Sequence, residues 1–271
     1  MHESINRCTI MLLQSLSFLK LTLLVLLATL ASTKHTVAIM APTLYHVPRT
    51  ISSPIYQALL ELGIADHPIR IETLTFADLK TPEHLARNPM GSSPAFTDDE
   101  EGVTIWESGA VLTYLLETYD TDYKLHPQPG VASQKDRANF LHVQQYIIAT
   151  VYPFVASLFL HTLKPQQDQD QDYVATATEK WKTLLAPTLM QFLGDKAYFM
   201  GDTLSAIDLL AAKPFNNANS LGILEEFPTL AVLFAKVQAL PSFAQAYNVT
   251  LTVPQEEPGR SMVLLPGNER N

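Results

Sequence analysis

Apolar positions follow two regimes along the chain. Between residues 43 and 119 their period changes every few residues; beyond residue 132 helical spacing persists. Thr43-Leu44-Tyr45-His46-Val47 is a β-rich run ended by Pro48, and it predicts a first strand. Ser53 followed by Pro54 is a helix start, with serine at the N-cap and proline at the first helical position. Ile55, Leu59 and Leu62 then share one face, and Gly63 supplies the stop. Ile69 and Ile71 alternate with polar neighbours, predicting a second strand. Residues 76–87 predict a weaker helix and Asn88-Pro89-Met90-Gly91 a turn. Residues 94–98 and 103–106 flank Asp99-Glu100-Glu101-Gly102 and predict a hairpin. Ser108 opens a helix on which Ala110, Val111, Tyr114 and Leu115 recur. The order is βαβαββα: the βαβ connection implies parallel strands, and the hairpin adds an antiparallel pair.

Residues 121–132 carry Asp, Pro and Gly and read as a linker. No strand pattern follows. A long apolar-periodic segment covers 133–163, where Pro153 is expected to kink or interrupt it; another covers 171–194, interrupted by Pro187. Shorter helices are predicted at 205–213, at 229–239 and after Pro241. The expected organisation is therefore an α/β domain over 41–120, a linker over 121–132 and an all-α domain over 133–250. A loose tail follows over 251–271, and a hydrophobic leader precedes over 1–40.

Within that leader, Arg7 is followed by an apolar run from Ile10 to Ala31 ending in Thr29-Leu30-Ala31-Ser32, a signal-peptide pattern. The whole run is also long enough to cross a bilayer as an uncleaved anchor, with Lys20 against that reading. A third reading starts the protein at Met40 and makes the preceding residues an extension of the gene model. The chain is cytoplasmic if Met40 is the start and enters the secretory pathway otherwise; membrane contact follows only from an uncleaved anchor. The sequon Asn248-Val249-Thr250 matters only on the secretory route.

Charge and cysteine content narrow the chemistry. A net charge of −9 and a pI near 5.3 disfavour nucleic acid as a partner. The sole cysteine, Cys8, lies in the leader, so the predicted domains have no thiol. That excludes a disulfide framework, a cysteine-based zinc site and a cysteine nucleophile there. Any sulfur chemistry must arrive with the substrate. The histidines show no pair at helical ligand spacing, so no metal is expected, and there is no Gly-rich phosphate loop.

Two stretches carry the functional reading. In Asn88-Pro89-Met90-Gly91-Ser92-Ser93-Pro94-Ala95, a proline opens a strand directly after a turn, a place where a cis peptide can persist. A cis bond there turns the main-chain N–H and C=O of Ser93 outward, able to pair with an extended peptide. In Trp106-Glu107-Ser108-Gly109-Ala110, Ser108 stands at a helix N-terminus, where its amide and hydroxyl can donate to a carboxylate. Glu107 supplies a negative charge for an ammonium group. A hairpin brings both stretches to one sheet edge. The implied ligand is a short peptide with a free α-amino-acid end.

Asn-Pro-x-Gly-x-x-Pro-Ala followed by Glu-Ser-x-Ala-x-x-x-Tyr-Leu, running from Asn88 to Leu115, resembles the glutathione-binding half of glutathione transferases. Residues 198–208, with Ser205 and Asp208 as a capping-box variant, are similar to the family's helix-start signature in the helical half. The resemblance implies a thioredoxin-like domain followed by an all-helical one. It also implies glutathione as co-substrate, small hydrophobic electrophiles as acceptors and a homodimer. It assigns Ser93 and cis Pro94 to the cysteinyl backbone and Glu107 with Ser108 to the γ-glutamyl end. Ser92 stands where many members have Lys or Gln, which puts a contact to the glycyl carboxylate in doubt.

The implied chemistry is thiolate attack, which needs a hydroxyl donor beside the bound thiol. The candidates are Ser52, Ser53, Thr50 and Tyr45. Ser52 and Ser53 lie at the helix start, whereas counting back from Gly63 brings the family's serine position nearer Arg49 or Thr50. His46 can take the place of the family's tyrosine, and Arg49 can stabilise a thiolate by charge. Tyr146, Tyr152, Phe154 and Phe159 are candidates for an acceptor pocket, as they are for ordinary core. A glutathione-dependent isomerase and a non-catalytic binding module are the alternative readings.

Overall fold

The computed structural model describes residues 41–247. The leader with Cys8, the alternative start at Met40, the Asn248 sequon and the 251–271 tail lie outside the described residues.

Strand β1 (Thr43–His46) is followed by α1 (Ser53–Leu62), β2 (Arg70–Thr73), α2 (Pro82–Arg87), β3 (Ala95–Asp98), β4 (Val103–Trp106) and α3 (Ser108–Tyr119). The sheet order is β2-β1-β3-β4. β1 runs parallel to β2 and antiparallel to β3, and β3 pairs antiparallel with β4. This is the expected thioredoxin-like βαβαββα arrangement. The single helix expected over 76–87 is instead a 3₁₀ turn, Asp78–Lys80, followed by α2. Thr81 accepts from the His84 amide as a new N-cap and Pro82 takes the first helical turn, so the proline restarts the helix there.

The second half is helical: α4 (Gln134–Tyr146), α5 (Tyr152–Thr162), α6 (Gln171–Lys180), α7 (Ala186–Leu193), α8 (Ala206–Ser220), α9 (Pro228–Gln238) and α10 (Pro241–Tyr247). The two expected proline interruptions are resolved without a break. A π-helical turn, Ile147–Val151, joins α4 to α5 just ahead of Pro153, and another, Trp181–Leu185, joins α6 to α7 just ahead of Pro187. A π turn spreads the backbone where the proline removes a hydrogen-bond donor and crowds the carbonyl four residues back. α8 runs past its expected end at 213, through Pro214 to Ser220. Almost the whole helix is buried, so packing holds it through a residue that breaks isolated helices.

Apolar side chains of both halves form a single core. Phe140, Val143, Ile147, Val151, Val155 and Leu158, spaced by three and four, feed it from the long α4–α5 rod. The linker is pinned by Asp120, whose carboxylate accepts from the Lys124 and Leu125 amides and bonds His126 at 2.7 Å. Asp208 closes the capping box at the start of α8, accepting from Ser205 and from the Phe199 amide at 2.8 Å. α10 packs on α1, with Gln57 donating to Ser242 at 3.2 Å and Gln245 to Tyr56 at 2.9 Å.

Candidate functional site

The ends of three strands meet on one side of the sheet. The register pairs Tyr45 with Ala95 and Ala95 with Trp106. Pro94 and Glu107 are therefore the next residues outward on their strands, and the loop after β1 emerges beside them. The Ser93–Pro94 peptide bond is cis. Ser93 stands just past the last ladder pair and is half-buried, while Pro94 is buried.

The loop ahead of Ser93 is braced from below. Asn88 is 1% exposed; its side chain donates to the Ser92 carbonyl at 2.8 Å and accepts from the Met90 amide at 3.0 Å. His84 bonds the same carbonyl at 2.9 Å, and Lys80 donates to the Gly91 carbonyl at 2.8 Å. Gly91 has φ +57°, and a Cβ there would stand 2.8 Å from Lys80 Nζ and 3.0 Å from the Leu79 carbonyl. The turn thus needs glycine for both conformation and space.

Glu107 sets the other wall. Its backbone has φ 77° and ψ 120°, a region that a side-chain-bearing residue enters only under strain. Its carbonyl still accepts the Val111 amide at 2.9 Å, so it opens α3. Ser108 follows at the first helical position, 8% exposed, where the helix dipole favours an anion. Gly109 lets α3 sit close on the π turn, because a Cβ there would meet Ile148 at 3.0 Å.

The loop after β1 carries the candidate hydroxyls. Ser52 and Ser53 are fully buried. Ser52 Oγ bonds His46 Nδ1 at 2.8 Å, Thr50 Oγ1 at 2.8 Å and both main-chain groups of Val47. Ser53 Oγ accepts the Arg49 amide at 2.9 Å, so it ties down the loop rather than capping α1, whose N-cap is Ser52. Tyr45 is 4% exposed and its ring lies under α2, with the Arg87 guanidinium 4.3 Å from the centroid. Thr50 is half-buried; its hydroxyl donates to the Val47 carbonyl at 2.8 Å and its Oγ1 lies 3.0 Å from Ser93 Oγ, which also donates to Ser52 Oγ at 3.4 Å.

A hydrogen-bonded chain therefore runs His46–Ser52–Thr50–Ser93. Burial pushes the His46 imidazole down to about 4, offset in part by a backbone bond to Ala246, so the chain starts at a neutral histidine. From the helical half, Tyr152 reaches the same loop. Burial pushes its phenol up to about 12, and a hydrogen bond with the Ile51 backbone opposes that rise. Tyr146 bonds the Leu185 carbonyl and packs on Phe192, a core role.

Among the described residues no group of His, Cys, Asp and Glu side chains has the makings of a metal site. The arrangement offers main-chain groups at Ser93, a helix N-terminus with an adjacent carboxylate, and a hydroxyl cluster.

Residues 40–117 match the model of the glutathione S-transferase N-terminal domain. Glutathione S-transferase 1 of Schizosaccharomyces pombe is 36% identical over 94 residues, which is 34% of this chain and 38% of that protein. The chain thus spans well under half the length of that fungal relative. A maleylacetoacetate isomerase of Pseudomonas aeruginosa is 27% identical over 62% of this chain and 76% of its own length. The fold is similar to that of the glutathione transferase URE2P8 of Phanerochaete chrysosporium, solved with oxidised glutathione. There the TM-score is 0.65 at 21% identity, over 77% of this chain and 94% of the other. The matched domain, the cis Ser93–Pro94 bond, the Glu107–Ser108 helix opening and the helical half agree: residues 40–117 carry a glutathione S-transferase N-terminal domain, and the chain has the fold of the glutathione transferases.

Proposed function

We propose that the site binds glutathione and that the chain transfers its thiolate to a small electrophile. The observation that carries this is the convergence of Ser93, Glu107 and Ser108 at one end of the sheet, in the register that pairs Ala95 with Trp106. The cysteinyl main chain pairs with Ser93 as a short added strand. The γ-glutamyl carboxylate meets the amide and hydroxyl of Ser108 at the start of α3, and its ammonium meets Glu107.

Thr50 is the hydroxyl we assign to the thiol, because it is half-buried where Ser52 and Ser53 are fully buried. A hydroxyl donor lowers a thiol's pKa from its ordinary value near 8.5 and raises the thiolate fraction at neutral pH. The thiolate forms the S–C bond, the leaving group departs with its electron pair, and the thiol proton passes to solvent.

A second reading is supported by the likeness to maleylacetoacetate isomerase over most of that protein's length. There the thiolate adds to a double bond and is expelled after rotation, so glutathione is regenerated. The chain is expected to act as a homodimer.

Conjugation of glutathione to 1-chloro-2,4-dinitrobenzene, followed by absorbance, tests transfer. Turnover that falls at least about tenfold in Thr50→Val supports the assignment. Retention on immobilised glutathione without turnover of aromatic or unsaturated electrophiles would make the chain a binding module instead.

A further inference from the structure

Leu193, at the end of α7, and Pro228, Val232 and Leu233, on α9, wall a cavity of about 320 Å³ whose lining Lys196 and Lys236 complete. Its size stands at the small end of pockets that take small molecules. The walls are apolar, and Val232 is 57% exposed, so solvent reaches them.

Two ammonium groups are fixed at this cavity. Lys196 donates to the Phe199 carbonyl at 2.7 Å and Lys236 to the Ala197 carbonyl at 3.2 Å, which tethers both to one short turn. Ala197 itself lines the cavity, and Lys236 also lies 5.1 Å from the centre of the Tyr198 ring. The turn is held in place: Tyr198 and Gly201 exchange main-chain bonds at 2.9 and 3.1 Å, and the Phe199 amide donates to buried Asp208 at 2.8 Å. The helix-start signature over 198–208 therefore positions the carbonyls that hold the two lysines.

An ammonium has three donors, so a bond to one carbonyl leaves others to offer. Among the described residues neither lysine has a carboxylate within 4.0 Å, although the chain carries a net charge of −9. Two fixed cations attract an anion, and one carboxylate can accept from both. The apolar walls select what the carboxylate is attached to. A bare inorganic anion gains nothing from them, and a neutral hydrocarbon gains nothing from the lysines.

We propose that the cavity between α7 and α9 binds a medium-chain fatty carboxylate, its head group held by Lys196 and Lys236 and its chain laid against Leu193, Val232 and Leu233. This site shares no residue with the one built on Thr50, Ser93, Glu107 and Ser108, and it does not depend on the glutathione reading.

Calorimetric titration of the whole chain with octanoate, and with 1-octanol as its uncharged counterpart, tests this. The parent should bind octanoate at least about tenfold more tightly than octanol. Lys196→Gln and Lys236→Gln should each weaken octanoate about tenfold and leave octanol within about twofold, whereas Lys236→Arg should keep most of the affinity. Val232→Asp sets a repelling carboxylate on the wall at an exposed position; it should weaken octanoate at least as much while its melting curve stays near the parent's. Saturating glutathione should leave octanoate affinity unchanged. Absence of octanoate binding to the parent, binding that survives Val232→Asp and both glutamine variants, or competition with glutathione would each overturn the proposal. Equal losses of octanoate and octanol in the glutamine variants would overturn it too, because the lysines would then serve as wall and not as anion holders.

Discussion

Glu107 makes stability and affinity pull in opposite directions. Its φ of 77° is a conformation that costs a residue with a side chain roughly 1–3 kcal/mol. Glycine enters that region freely but loses about 0.5–1 kcal/mol more chain entropy on folding. Glu107→Gly should thus stabilise the fold by about 1 kcal/mol, or roughly 2–4 °C in Tm for a chain of this size. The carboxylate assigned to the glutathione ammonium is lost in the same step, and affinity should fall about tenfold. Glu107→Ala separates the two effects: it keeps the strained backbone, so its Tm should stay near the parent's while its affinity falls as in the glycine variant. Thermal melts by circular dichroism and calorimetric titration with glutathione read both quantities. A lower Tm for the glycine variant, or unchanged affinity in both variants, would refute the reasoning that strain is held here to present a ligand-binding carboxylate.

Three further outcomes are expected. Thr50→Val should raise the pKa of the bound glutathione thiol, read from thiolate absorbance against pH, while leaving glutathione affinity within about threefold. Asn88→Ala removes the buried donor to the Ser92 carbonyl and should cost about 2 kcal/mol in urea unfolding, with weaker glutathione binding because Ser93 loses its support. His46 has a folded pKa near 4 against 6.5 when unfolded, so between those values the unfolded chain binds more protons. Stability should then fall as pH drops from about 6.5 to 4, by up to about 1.4 kcal/mol per pH unit, and His46→Gln should flatten that slope.

Much of this was legible in the sequence because the chemistry is local. The Asn88–Ala95 turn, the hairpin and the Glu107–Ser108 helix opening announce themselves through proline, glycine and cap residues in short succession. Helix ends near prolines were less legible. Pro214 reads as a stop, yet burial on several sides carries α8 onward; Pro153 and Pro187 read as breaks, yet π turns absorb them. Among the hydroxyls, residue type and helix position pointed to Ser52 and Ser53. What separates Thr50 from them is its partial exposure after a tight turn, and no pattern of residues encodes that.

Hydrogen–deuterium exchange with and without saturating glutathione tests the site most directly. Peptides covering residues 92–96 and 107–112 should exchange more slowly with the ligand, as the main chain at Ser93 and the first amides of α3 gain acceptors. Unchanged exchange in both stretches, with protection elsewhere or nowhere, would contradict the claim that this end of the sheet grips a tripeptide.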